Sequence, residues 1–202
     1  VTAHVDANFG AYRPGGVHAP SATPDGQGGI IAIYNMNSAK PTDGWDQIMS
    51  LPRRLALQGR DKLGREAVNI EPAGDISSLR REHRHIAKMK LPANQEIVLE
   101  EIGGNAVELV AEFVSSNTSM IELNVLRSPH KEEFTRIAFY RARGYRDWER
   151  YPGWDEVKLM EATDSLITID SSYSSTATDV LCRAPETGPV YIEPEEPLRL
   201  RV

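Results

Sequence analysis

Side chains able to do chemistry are thinly spread along this chain of 202 residues. Candidate carboxylate pairs are Asp43 with Asp46, Glu100 with Glu101, and Glu132 with Glu133. Two carboxylates serve as acid and base, or as acid and nucleophile, only when both project into one cleft. Adjacent residues of an extended strand point to opposite faces, so the two Glu-Glu pairs read as solvated charge. Asp43 and Asp46 flank Trp45, an arrangement that can hold a sugar by stacking and hydrogen bonds. More often such a tryptophan seals a small core beside a turn.

His83 and His85 share a face if their segment is extended, as two metal ligands would. They stand among arginines in Arg80-Arg81-Glu82-His83-Arg84-His85, and local positive charge disfavours a dication, so the pair reads as surface. The densest aromatic cluster is Tyr140, Tyr145, Trp148, Tyr151 and Trp154, mixed with Arg141, Arg143, Arg146 and Arg150. Aromatics beside arginine suit a recognition patch for glycan or protein, and equally a contact between domains. Asn117-Thr118-Ser119 fits a glycosylation acceptor, and Cys182 is the only cysteine, which excludes an internal disulfide and a cysteine-based zinc cluster.

The elements that must position these residues are strands. Hydrophobic residues make up 40% and charged residues 26% of the chain, enough for one ordinary globular domain or two small ones. Aspartate and glutamate (29) exceed lysine and arginine (23), giving a net charge of -6, so nucleic acid is not an expected partner. No apolar run approaches the roughly 18 to 20 residues of a membrane helix, so no membrane contact is expected either. Thirteen prolines and fifteen glycines punctuate short apolar runs, the pattern of many short strands in a sandwich, barrel or propeller.

Along the chain, Gly28 to Asn37 reads as a buried strand entered from the Pro24-Asp25-Gly26 turn, and Leu51 to Leu57 as another, with Pro52 at an edge or bulge. Ile76, Leu79, His83 and Ile86 recur at helical spacing behind Asp75, predicting a short helix or turn over 75–90 with Asp75 as N-cap. Ile97 to Ile102, a Gly103-Gly104-Asn105 turn and Val107 to Phe113 predict a hairpin. Ile121 to Val125, Ile137 with Phe139, Ile167 with Ile169, and Val190 with Ile192 continue the series, although Phe134 to Arg141 also fits a helix by spacing. Ser171 to Asp179 and Ala184 to Glu196 read as surface loops, and the chain closes on the alternating Leu198-Arg199-Leu200-Arg201-Val202, a half-buried strand. That last alternation is still running where the sequence stops, which raises the expectation of an internal fragment with its final backbone groups unpaired.

Read in order, several elements form one colinear pattern: His18-Ala19-Pro20-Ser21-Ala22-Thr23, Asp25-Gly26-Gln27-Gly28-Gly29 with its Ile30 to Asn37 strand, Gly44-Trp45, Ser50-Leu51-Pro52-Arg53-Arg54-Leu55, and Ile70-Glu71-Pro72 with Leu79-Arg80. This set resembles glycoside hydrolase family 32, the invertases, levanases and other β-fructofuranosidases. The motif-bearing part spans residues 18 to 80, while 91 to 202 match mainly in character and position. The resemblance implies an all-β fold: residues 1–74 as the last part of a five-bladed propeller plus linker, and 75–202 as a two-sheet sandwich lacking its last strands. It also implies a parent enzyme that cleaves terminal β-fructosyl bonds of sucrose or a fructan, with a fructoside as partner and no cofactor, since carboxylates and water suffice.

The family's catalytic acids are not matched. Its nucleophile lies in Asn-Asp-Pro, and this sequence has no Asn-Asp pair; its transition-state stabiliser lies in Arg-Asp-Pro, whereas Arg60-Asp61 and Arg146-Asp147 are followed by Lys62 and Trp148. Its acid/base glutamate precedes a cysteine, whereas Cys182 follows Leu181. Catalytic residues are therefore expected outside the chain, which alone should be inactive. Where many members carry Gly-Trp at the end of the fifth-blade strand, this chain has Tyr34-Asn35, and Tyr34, Asn35 and Asn37 become candidates for the mouth of a sugar pocket, with Trp45 beside them. The rival expectation is a non-catalytic carbohydrate-binding or protein-interaction sandwich.

Overall fold

The computed structural model describes residues 17–60, 66–114, 118–144, 163–180, 185–190, 192 and 196–202. Regular structure in it is all-β, with a single 3-10 turn. The first sheet holds β1 (Val17–Pro24), β2 (Gly29–Thr42), β3 (Trp45–Met49), β4 (Arg53–Arg60) and β5 (Glu66–Pro72). Neighbours are antiparallel in the order β1-β2-β4-β5, with β3 paired to β2. The β1–β2 turn is built by Asp25, whose Oδ1 accepts the N–H groups of Gln27 (2.7 Å) and Gly29 (2.9 Å). Gly26 and Gly28 take φ of 74° and 83°, the left-handed region that such a tight turn requires.

Strand β2 serves two partners in succession: Gly29 to Ala32 pair with β4, and Asn35 onward with β3. Between them the ladder would be broken at Tyr34. Ser50 fills the break, its N–H donating to the Tyr34 carbonyl at 2.8 Å and its Oγ accepting the Tyr34 N–H at 3.0 Å. The expected strand over Leu51 to Leu57 begins at Arg53, so Pro52 lies just before the ladder, its carbonyl accepting the Ala73 N–H at 2.9 Å.

Beyond Pro72 the short helix or turn expected within 75–90 is the 3-10 turn Ile76–Leu79, which buries none of its residues and receives no side-chain cap from Asp75. The apolar spacing is helical, but Leu79 and His83 are exposed and Ile76 and Ile86 only half-buried, and short helices need tertiary packing to persist. Residues 80–108 then run without a ladder. The predicted hairpin over 97–113 does not form: Leu99 to Ile102 make a turn, and the strand that follows pairs elsewhere.

That strand is β6 (Val110–Phe113), and its partner is β11 (Leu198–Arg201), antiparallel with Leu198 opposite Phe113. Leu109 and Val202 extend the pairing by reciprocal bonds of 2.8 and 2.9 Å. The closing segment is thus paired along one edge, by β6, and in this two-stranded sheet its other edge has no partner strand among the described residues. The other sheet contains β7 (Met120–Val125), β8 (Thr135–Tyr140), β9 (Ser165–Asp170) and β10 (Glu186–Val190), in the order β10-β9-β8-β7. Phe134 to Arg141 is therefore strand rather than helix, and part of the Pro/Glu-rich stretch 184–196 is an edge strand rather than loop. Its Pro189 suits an edge, where one ladder donor can be spared.

The two sheets enclose the core. Leu198 and Leu200 from β11 meet Ile121 of β7 and Phe139 of β8, with Phe113, Ile167, Val190 and Ile192 around them. Phe139 is fully buried. The opposite face of the four-stranded sheet is polar and cross-linked, with Arg136 bonded to Asp170 across β8–β9 at 2.6 Å and Thr168 to Thr187 across β9–β10 at 3.1 Å.

Candidate functional site

The candidate sugar-lining residues cluster at the β2–β3 hairpin and the Ser50–Pro52 return, and the structure divides them. Successive strand residues alternate between faces, so Tyr34 and Asn35 cannot line one pocket side by side. Tyr34 shares its face with Ala32 and Met36, and through the register with Ile48 and Arg53. The Arg53 guanidinium sits 5.7 Å from the centre of the Tyr34 ring, a cation–π contact. Beside it opens a groove of about 390 Å³ lined by Met36, residues 48–53 and residues 70–72, with Arg53 and Glu71 adding charge. Such a lining holds an apolar body and carries no pair of carboxylates for acid/base work.

Asn35 lies on the other face. Its Nδ2 donates to Gln47 Oε1 at 2.6 Å, and Gln47 alternates with Trp45 and Met49 along β3. Trp45 is 51% exposed and Met49 59%. Asn37 pairs with Gln47 through the backbone, and its side chain lies outside the described residues, as does that of Asp46. Two residues of this region escaped the sequence reading. Gln47 carried no signal, whereas Arg53 stood in the Leu-Pro-Arg element and could have been found there.

Among the described residues, the Arg54 charge on the same face as Asn35 is answered internally. Arg54 Nε donates to Asp25 Oδ2 at 2.6 Å, and its Nη1 lies 3.5 Å from Glu71 Oε1. Hydrogen bonds from the Gln27 and Gly29 backbone, then Arg54, hold the Asp25 carboxyl below the usual aspartate range. With Oδ1 taking two N–H groups and Oδ2 the guanidinium, Asp25 has the environment of a turn-fixing residue rather than of a nucleophile.

The remaining candidates are not brought together. His83 and His85 are exposed, as are Glu100 and Glu101 in their turn. Glu132 binds the Ser128 hydroxyl at 2.5 Å, whereas Glu133 turns to the Thr176 N–H at 2.7 Å, so this pair diverges. Among the described residues no three His, Cys, Asp or Glu side chains form a metal site. No described helix is long and apolar enough to cross a membrane. Of the aromatic and arginine cluster, Tyr145, Arg146, Trp148, Arg150, Tyr151 and Trp154 lie outside the described residues, as do Asn117 and Cys182. Compared with known protein families and curated proteins, the chain matches no family model and no curated sequence.

Proposed function

We propose that this chain is part of a β-fructofuranosidase-type glycosidase, contributing a final propeller blade and a sandwich but not the catalytic carboxylates. The observation that carries this reading is the colinear motif set over residues 18 to 80, several members of which have a structural task. Asp25 to Gly29 turn β1 into β2, Ser50 closes the ladder at Tyr34, and Arg53 covers the Tyr34 ring. Propellers are assembled from four-stranded antiparallel units, and the antiparallel path β1-β2-β4-β5, from which β3 branches off β2, supports the blade reading. In the parent protein one carboxylate would attack the anomeric carbon and another protonate the leaving oxygen; this chain would supply framework and part of the rim.

The 202-residue chain, purified alone, releases no fructose from sucrose, because neither carboxylate is present. DNA upstream of the codon for Val1 continues in frame into Asn-Asp-Pro and Arg-Asp-Pro, and the extended protein hydrolyses sucrose or a fructan. Steady fructose release by the short chain, or a start codon immediately before Val1, overturns the proposal.

A further inference from the structure

We propose that residues 83–92 form a docking strip for an extended acidic segment of a partner protein. The strip lies between Glu82 and Asn94, whose φ angles of 49° and 57° bound a run that holds no helix, turn or bend. Ile86 and Pro92 are its half-buried residues, and the rest of it is exposed. Among the described residues, none of its backbone N–H or C=O groups bonds to another part of the chain. A straight run without a ladder presents donors and acceptors in a row, and a second extended chain can satisfy both.

Charge selects the partner. The chain carries a net charge of -6, yet residues 80–91 hold five lysines and arginines against one acid, Glu82. Two of the five are engaged within the chain. Arg80 Nη2 donates to Glu108 Oε1 at 3.1 Å, and Arg81 Nη1 donates to the Ser78 and Arg80 carbonyls at 2.7 and 2.8 Å. Arg84, Lys88 and Lys90 are exposed and, among the described residues, meet no carboxylate. Beside them Met89 and Leu91 are each 49% exposed. A phosphate or sulfate polymer would answer the cations but bring neither a backbone ladder nor apolar side chains, and the net charge of the chain repels a long polyanion. Two copies of the strip would set like charges against each other, which disfavours self-pairing. A strand that alternates glutamate with valine or leucine answers the cations, the backbone and the apolar side chains together.

The test uses the whole chain and a fluorescent synthetic peptide alternating glutamate with valine, read by anisotropy and by hydrogen exchange with mass spectrometry. The peptide binds, and the amides of residues 83–91, which exchange at the rate of an open chain without it, slow in its presence. Replacing the three free cations together, as Arg84→Gln, Lys88→Gln and Lys90→Gln, weakens binding about tenfold, the scale of three screened surface charges. These side chains are exposed, so the melting temperature of the variant stays that of the unsubstituted chain. The same peptide N-methylated at alternate amides keeps its charge and loses its ladder, and it binds far more weakly. Equal binding of the N-methylated peptide, protection confined to other segments, or no effect of the triple substitution overturns the proposal. So does the absence of peptide binding, and so does binding of heparin or a single-stranded oligonucleotide through these cations where the peptide fails, which would assign the strip to a polyanion. None of these outcomes bears on the glycosidase reading, which the upstream DNA decides.

Discussion

At the scale of single residues, the β1–β2 turn is fixed by backbone crowding as much as by hydrogen bonding. A Cβ added at Gly29 would lie 2.7 Å from the Leu55 carbonyl oxygen and 2.8 Å from Asp25 Oδ2. The first of these is ladder backbone and cannot yield without parting β2 from β4. Gly29→Ala therefore destabilises the first sheet by about 1–3 kcal/mol, the range for overpacked sites. Gly103→Ala, in open space, stays within about 0.5 kcal/mol, and thermal melts of the two variants check the contrast. The Asp25 turn was readable from composition alone, because Asp-Gly followed by glycine has few other uses. The separation of Tyr34 from Asn35 was equally implicit in a two-residue period, but the motif resemblance drew attention to them as a pair.

At the scale of elements, β11 decides whether the second unit is closed. Leu198 and Leu200 are almost fully buried against Phe139, whereas Arg199 and Arg201 are exposed. Leu200→Ala leaves a cavity in that contact and costs about 2–5 kcal/mol, measured by denaturant unfolding. Arg199→Ala, on the outward face, changes the midpoint little. The strands β2, β7, β9 and β11 were legible because each alternates apolar with polar residues or runs apolar between turn signals, whereas β8 fitted strand and helix alike. The reading of 75–90 as a short helix or turn is met by the 3-10 turn Ile76–Leu79, whereas the hairpin over 97–113 is false. The hairpin was inferred from neighbours in sequence, whereas the partner of β6 is β11, supplied by residues far downstream. Local pattern reports a residue's face and is silent on which distant strand will cover it.

At the scale of the whole chain, one carboxylate ties three remote stretches together. Glu108 receives hydrogen bonds from Arg80 Nη2 at 3.1 Å and from Arg201 Nε at 2.8 Å, joining the segment after the 3-10 turn to β11. Those bonds, Arg80's foremost, bring its acidity from the ordinary 4.5 to about 2. A carboxyl lowered by folding adds stability that is fully present above its unfolded value and is lost as pH falls through its folded value. The contribution of Glu108 therefore fades between pH 4.5 and about 2, and Glu108→Gln removes that part of the acid dependence. Melting temperature against pH for both chains tests this: parallel curves below pH 4.5 would refute the role given to Glu108. A different consequence follows from the pairing of β6 with β11 and concerns biosynthesis. The ribosome makes β6 first, then the four-stranded sheet, and β11 only afterwards. Throughout that interval the Phe139 face of the nascent chain has no lid, and it emerges as a sticky apolar surface of the kind that chaperones hold.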